Sequence, residues 1–195
     1  MTRQSAIKRQ TSETDISLQL SIDGTGQADI QTGVPFMDHM LTLFTVHGFF
    51  DLTITAHGDT AVDGHHTVED LGICLGQALK EALAGGHGIK RYGNSAVPMD
   101  ESLVRISLDI SNRPFLQYQV IINEAKTGSF DTSLTKEFLR AFTLHAGITM
   151  HVDMIRGENA HHIIEAIFKA LGQALDQATN TDERIKGVMS SKGSL

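Results

Sequence analysis

Two stretches of the chain carry histidine and glutamate at the same spacing. "DGHHTVED" at 63–70 offers His65, His66 and Glu69, and "NAHHIIEA" at 159–166 offers His161, His162 and Glu165. Each is followed by apolar residues at helical intervals, Val68, Leu71, Leu75, Leu79 and Ala82 in one copy and Ile164, Ile167, Phe168, Leu171 and Leu175 in the other. Each motif therefore opens an amphipathic helix. On a helix, residues four apart lie about 40° apart around the axis, so His65 with Glu69, and His161 with Glu165, can bind one metal together. The adjacent His66 and His162 point about 100° away from their neighbours. Each motif should thus feed two sites, and the two motifs together supply donors for two metals. A single HHxxE at a helix start reads as decoration as readily as ligation, because acids suit the dipole there; its recurrence favours ligation. Imidazole and carboxylate without thiolate exclude a cysteine-type structural zinc site and leave Mn, Fe, Ni, Co or catalytic Zn. The HExxH proteases place glutamate between two ligand histidines, which is a different order.

The recurrence is longer than the motif. "HHTVEDLGICLGQAL" at 65–79 and "HHIIEAIFKALGQAL" at 161–175 share His-His, Glu and LGQAL at a separation of 96 residues. A period near half the chain means a duplicated half-domain, since solenoid repeats are shorter and need at least three copies. The expected organisation is one catalytic domain, 1–195, built from two half-repeats of about 1–92 and 93–195. "FFDLTITAHGD" alternates Leu52 and Ile54 with Thr53 and Thr55 as a half-buried strand, and "GITMHVDMIRG" is its counterpart. Further strands are expected in "DISLQLSID", "SLVRISLDIS" and "FLQYQVIIN", and a further helix in "LTKEFLRAFTLHAG". These elements indicate an α+β fold in which each half holds a small β-sheet with long helices, the halves forming a pseudo-twofold sandwich of sheets around helices.

Charge narrows the partners. With a formal net charge of −7 the chain lacks the basic footprint that nucleic acid demands. An anionic ligand must then be met by a local cluster of cations. No run of residues approaches the ~20 apolar positions of a membrane span, and "MTRQSAIKRQTSETD" has no apolar leader core, so the cytoplasm is the expected location. Cys74 is the sole cysteine and lies among Leu71, Leu75 and Leu79, as a small buried hydrophobe would.

The two HHxxE motifs, preceded by "FMDHMLTLFTVHGFFDL", joined by "GIKRYG", "PMDESL" and "NRPFL" and followed by "SSKG", closely resemble the imidazoleglycerol-phosphate dehydratase family of histidine biosynthesis. The resemblance runs from "RQTSETDI" to "SSKGSL". It implies a lyase that dehydrates D-erythro-imidazole glycerol phosphate to imidazole acetol phosphate. It also implies two Mn ions per subunit, which bind the substrate ring as imidazolate, and a shell of 24 subunits built from trimers.

Transferred residue by residue, the resemblance implies His39, His65, His66, Glu69, His161, His162 and Glu165 as metal ligands. The eighth ligand position falls on Glu137, where many family members carry histidine; His145 and His151 are the nearby alternatives. The internal repeat equates Glu137 with His39, since they precede His161 and His65 by 24 and 26 residues. Glu13 alone reads as a solvated acid near a mobile N-terminus, but the resemblance makes it the acid/base residue, with Glu165 and His66 also in the catalytic set. Arg91, Arg113, Lys169, Ser191 and Lys192 are implied for the substrate phosphate, which guanidinium and ammonium groups suit. His47, His57 and His87 are left to packing or solvation. Two rival classes share some of these features: a metal-dependent phosphate-ester hydrolase, and a metal-storage shell.

Overall fold

The computed structural model describes residues 3–194. The first half runs β1 (Gln4–Gln10), β2 (Thr14–Ser21), β3 (Ala28–Gln31), α1 (Pro35–Gly48), β4 (Asp51–Gly58) and α2 (His65–Leu83). The second runs β5 (Tyr92–Met99), β6 (Ser102–Asp109), β7 (Phe115–Gln119), α3 (Leu134–Ala146), β10 (Thr149–Arg156) and α4 (Ala160–Thr179). Between β7 and α3 a short hairpin, β8 (Lys126–Thr127) and β9 (Phe130–Asp131), has no counterpart in the first half. The two sheets have the same topology, β1-β2-β4-β3 and β5-β6-β10-β7. In each, the last strand alone runs parallel to its neighbour. The fold is the duplicated α+β sandwich expected from the repeat.

Alternation aims one face of each sheet inward: Ile16, Leu18 and Leu20 on β2, Leu52 and Ile54 on β4, Val104, Ile106 and Leu108 on β6, Met150 and Val152 on β10 are all buried. The helices fill the space between the two sheets. α2 lies on the first sheet and α4 on the second, but α2 packs chiefly on α3 and α1 on α4. The halves therefore exchange helices, and neither encloses its own core. This exchange explains the repeated LGQAL. A Cβ at Gly76 would stand 2.7 Å from the Phe142 carbonyl oxygen, and one at Gly172 would stand 2.5 Å from that of Phe44. Each glycine lets two helix backbones touch, α2 on α3 and α4 on α1.

Several elements lie beyond the sequence expectations. β1 ties the N-terminal segment into the sheet along its whole length, from Gln4 opposite Ser21 to Gln10 opposite Asp15. Arg3 pairs with Asp23 and donates to the Thr179 carbonyl. From Arg3 onward the N-terminus is thus a strand and its anchor, which corrects the reading of a mobile N-terminus. The strand expected in "FLQYQVIIN" ends at Gln119. Among the described residues no helix is long and apolar enough to cross a membrane.

Candidate active site

α1 and α4 build the first cluster. Pro35 starts α1 and Asn159 caps α4, accepting from the His161 and His162 amides. This places His39 on one helix against His161 and Glu165 on the other. Glu165 Oε2 lies 3.6 Å from His39 Nε2 and 3.3 Å from His161 Nε2. The three donor atoms all fall within 4.8 Å of one another. Metal–donor bonds of about 2.1 Å set donors up to about 4.2 Å apart across an ion, so small rotations would close this set on a metal. Imidazole and carboxylate without thiolate suit Mn, Fe or Zn. The other Glu165 oxygen accepts from Lys169 at 2.6 Å. Burial raises the Glu165 carboxyl, but Lys169, His39 and His161 together hold it below the ordinary carboxylate value.

α2 and α3 build the second cluster in the pseudo-equivalent place. His65 Nε2 is 3.9 Å from Glu69, one turn along α2. Glu137 on α3 and Glu69 on α2 both face Arg140, at 3.2 and 3.9 Å. Counted back from the left-handed caps Phe49 and Gly147, His39 and Glu137 occupy the same position in α1 and α3. The sequence did not mark Arg140, which brings a positive charge beside the additional carboxylate. His145 lies in the last turn of α3, where burial and then Arg9 lower its pKa. His151 is exposed on β10 beside Phe115.

The second histidine of each motif faces away from its cluster, as the 100° offset requires. His66 Nδ1 donates to Asp59 at 2.9 Å, with Glu13 at 3.8 Å. His162 Nδ1 donates to Glu101 at 2.7 Å, with Asp100 at 3.8 Å from Nε2. These carboxylates hold both imidazoles above the ordinary pKa of 6.5. Glu101, held far below the usual range by the Asn159 amide and then by His162, was not singled out from sequence, nor was Asp59. The residues expected as ligands thus fall into two clusters and two outward-facing histidines, and of these only His39, His161 and Glu165 bring three donor atoms within 4.8 Å among the described residues.

The cations divide as well. Arg91 is buried, its guanidinium bound to both oxygens of Asp109 at 2.6 and 2.9 Å and to the Met189 carbonyl at 2.7 Å. Arg113, largely exposed, reaches the same Asp109 at 3.6 Å. Arg91, Arg113 and the segment leading to Ser191 and Lys192 therefore meet around one acid. Lys169 stands apart, midway along α4 with Glu165 and the Met99 sulfur, whereas Arg91 meets that helix at Ala178. An open pocket of about 390 Å³ adjoins His65, lined by Phe36, Val62, Lys126 and Phe130. Its Phe36 ring packs edge-on to His161, so one wall reaches the first cluster. Cys74 is buried, and burial pushes its thiol up to about 11, which leaves it inert.

Twin imidazole–carboxylate clusters on a duplicated α+β sandwich, each made from helices of both halves, define a distinctive class of protein. The family model described as imidazoleglycerol-phosphate dehydratase matches residues 32–175. Imidazoleglycerol-phosphate dehydratase from Syntrophobacter fumaroxidans is 59% identical over 193 residues, 99% of this chain and 98% of that one. The crystal structure of the Staphylococcus aureus subsp. aureus N315 dehydratase is similar with a TM-score of 0.84 at 42% identity, covering 92% of this chain and 99% of that one. The Pyrococcus furiosus structure, in complex with (S)-C348, also has a TM-score of 0.84, at 41% identity, with 97% and 100% covered. The chain belongs to the imidazoleglycerol-phosphate dehydratase family, the dehydrating lyases of histidine biosynthesis.

Proposed function

We propose that residues 1–195 act as one catalytic domain of two half-repeats, about 1–92 and 93–195, which dehydrates D-erythro-imidazole glycerol phosphate to imidazole acetol phosphate with two Mn ions per subunit. The observation that carries this reading is the meeting of His39, His161 and Glu165 donors within 4.8 Å, from helices of both halves, in a chain of this family. His39, His161 and Glu165 would hold one metal, and His65, Glu69 and Glu137 would contribute to another. Positive charge at the ring nitrogens would ease loss of the ring proton, and the electron pair left on the substrate's own ring would then supply the push that expels hydroxide from the adjoining carbon.

The chain's own residues do the rest. Glu13 stands on the turn before β2, half exposed and 3.8 Å from His66. It would take the proton from the carbon next to the one losing hydroxide, and return a proton when the resulting enol relaxes to the ketone. Arg113, Ser191 and Lys192 would hold the phosphate, with Arg91 fixing the segment that carries the last two. Lys169, bound to Glu165, would act through the first cluster. His66 and His162 point away from their own clusters, so in a shell of 24 subunits built from trimers they would complete the sites of neighbouring copies. The reading places the protein in the cytoplasm.

The test is to incubate Mn-loaded protein with imidazole glycerol phosphate and assay ketone and inorganic phosphate together. Ketone without phosphate is expected. Phosphate release would point to a hydrolase, and no turnover with tightly held metal to a storage shell.

A further inference from the structure

Neither half uses the same residue to hold its outward histidine. Glu101 lies in the turn between β5 and β6, one residue before Ser102, and Asp59 lies in the loop between β4 and α2. They come from different places in the repeat, yet each meets Nδ1 of the second histidine of one HHxxE motif, at 2.7 Å on His162 and 2.9 Å on His66. A carboxylate can only accept, so each ring must carry its proton on Nδ1. The neutral imidazole then has its lone pair on Nε2. Glu101 is itself fixed, because its Oε1 accepts from the Asn159 amide at 2.9 Å, the Glu158 amide at 3.3 Å and Ser102 Oγ at 2.9 Å. The carboxylate that sets His162 is thereby tied to Glu158 and to Asn159, the cap residue of α4. Asp59 has no such second task; its side chain bonds His66 alone among the described residues.

Building on the proposed ligand set, we infer that Glu101 and Asp59 are positioning residues, which fix His162 and His66 in the tautomer whose Nε2 is free to bind a metal. Duplication explains two such histidines but not two carboxylates from non-equivalent loops. In the first half the turn glutamate, Glu13, stands off at 3.8 Å from His66, and the same bond comes from Asp59. What has been kept is the hydrogen bond, not the residue.

An amide separates this role from simple support. Glu101→Gln can still accept from the Asn159 amide through its oxygen, while its NH2 donates to Nδ1 and so favours the Nε2–H tautomer, which cannot ligate. Asp59→Asn does the same at His66 without touching any cap. The measurement is MnCl2 titration of metal-free protein by calorimetry, with melting temperature of the metal-free protein alongside. Both variants should bind Mn about 10-fold to 100-fold more weakly, at a melting temperature close to that of the parent. Parent-like Mn affinity in Asp59→Asn, or a loss in Glu101→Gln that only accompanies unfolding while Asp59→Asn binds normally, overturns the inference. A parent protein that takes up no Mn would instead sink the metal reading on which it rests.

Discussion

Glu13 and Glu101 are equivalent residues with different occupations. Each is the last residue of the turn before the second strand of its sheet, preceding Thr14 and Ser102. Glu101 spends both oxygens, on His162 and on the amides at the start of α4. Glu13 stands 3.8 Å from His66, whose Nδ1 belongs to Asp59. One carboxylate of the duplicated pair is bound up and its twin is left half exposed. On the proposed mechanism the half-exposed twin is the one that moves a proton.

Glu13→Gln should therefore lower kcat by about 100-fold or more, the range typical of a lost acid/base group, while Mn content and substrate affinity stay near parent values. Steady-state kinetics with metal analysis checks this. Parent-like turnover would move the base to another group.

Gly172→Ala should destabilise the protein although alanine favours a helix. Its Cβ would meet the Phe44 carbonyl oxygen at 2.5 Å and the Gly48 nitrogen at 3.0 Å, both backbone atoms of α1. Forcing two helices apart costs about 1–3 kcal/mol, which for a chain of this size lowers Tm by roughly 3–10 °C. Gly76→Ala should behave alike, because Phe142 and Ala146 of α3 block it in the same way. Thermal unfolding of the metal-free protein measures both; an unchanged Tm would show that the crossings are loose.

The parts of the fold legible in the sequence were those with a clean period. β2, β4, β6 and β10 alternate because each is a central strand with one face on the core, and α2 and α4 show a helical stripe for the same reason. Among the elements that gave no signal were the edge strands β1, β3 and β5 and the helix α1, which is buried along one face and exposes Val46 on another. β1 and β5 each pair with one neighbour; β1 is nearly all polar, and β5 carries Gly93 and Pro98. In α1 apolar residues crowd several faces, so no stripe stands out. The HHxxE candidates were legible because ligation would need fixed spacing within one helix. Glu101 was not, because its partner His162 lies 61 residues away, and Asp59 and Arg140, though close in sequence to His66 and Glu137, belong to no repeated motif; the only trace was Glu101 repeating Glu13 before the second strand of the other half.

Metal uptake should depend on pH in a direction set by the same carboxylates. Asp59 holds His66, and Glu101 holds His162, above 6.5, and a protonated imidazole cannot ligate. Mn affinity should fall as pH drops, with the loss beginning above pH 6.5 rather than below it. In metal-free protein the sign reverses. A pKa raised on folding adds stability that is full below the unfolded value and lost as pH rises through the folded one. The share of metal-free stability due to His66 and His162 should thus decline across neutral pH while Mn binding strengthens. His47 and His145, whose pKa values burial lowers, act in the opposite sense, so the decline is read as the difference in Tm between the parent and Asp59→Asn. Calorimetric titrations and melting curves between about pH 5 and 8 test both trends; Mn affinity that is flat over that range would refute the first.

The two arginines assigned to phosphate should fail differently, because the structure gives them different work. Arg113 is exposed, with one guanidinium nitrogen on the Ser111 carbonyl at 3.1 Å and another 3.6 Å from Asp109, so most of its donors face solvent where a ligand can meet them. Arg113→Ala should raise KM by about 10-fold to 100-fold, the value of one charge-assisted contact at about 1.5–3 kcal/mol, with Tm nearly unchanged. Arg91 is buried and already bonded to Asp109 and to the carbonyl of Met189. Its removal leaves Asp109 without its bidentate partner and unties the segment bearing Ser191 and Lys192. Arg91→Ala should consequently lower Tm and raise KM together. The double variant with Lys192→Ala separates the routes. Once Arg91 is gone Lys192 is no longer held in place, so Arg91→Ala/Lys192→Ala should have nearly the KM of Arg91→Ala, whereas Arg113→Ala/Lys192→Ala should be worse than either single variant. If instead Lys192→Ala adds its full effect to Arg91→Ala, the Met189 contact does not position the C-terminal segment, and Arg91 must be judged by its own contact with phosphate.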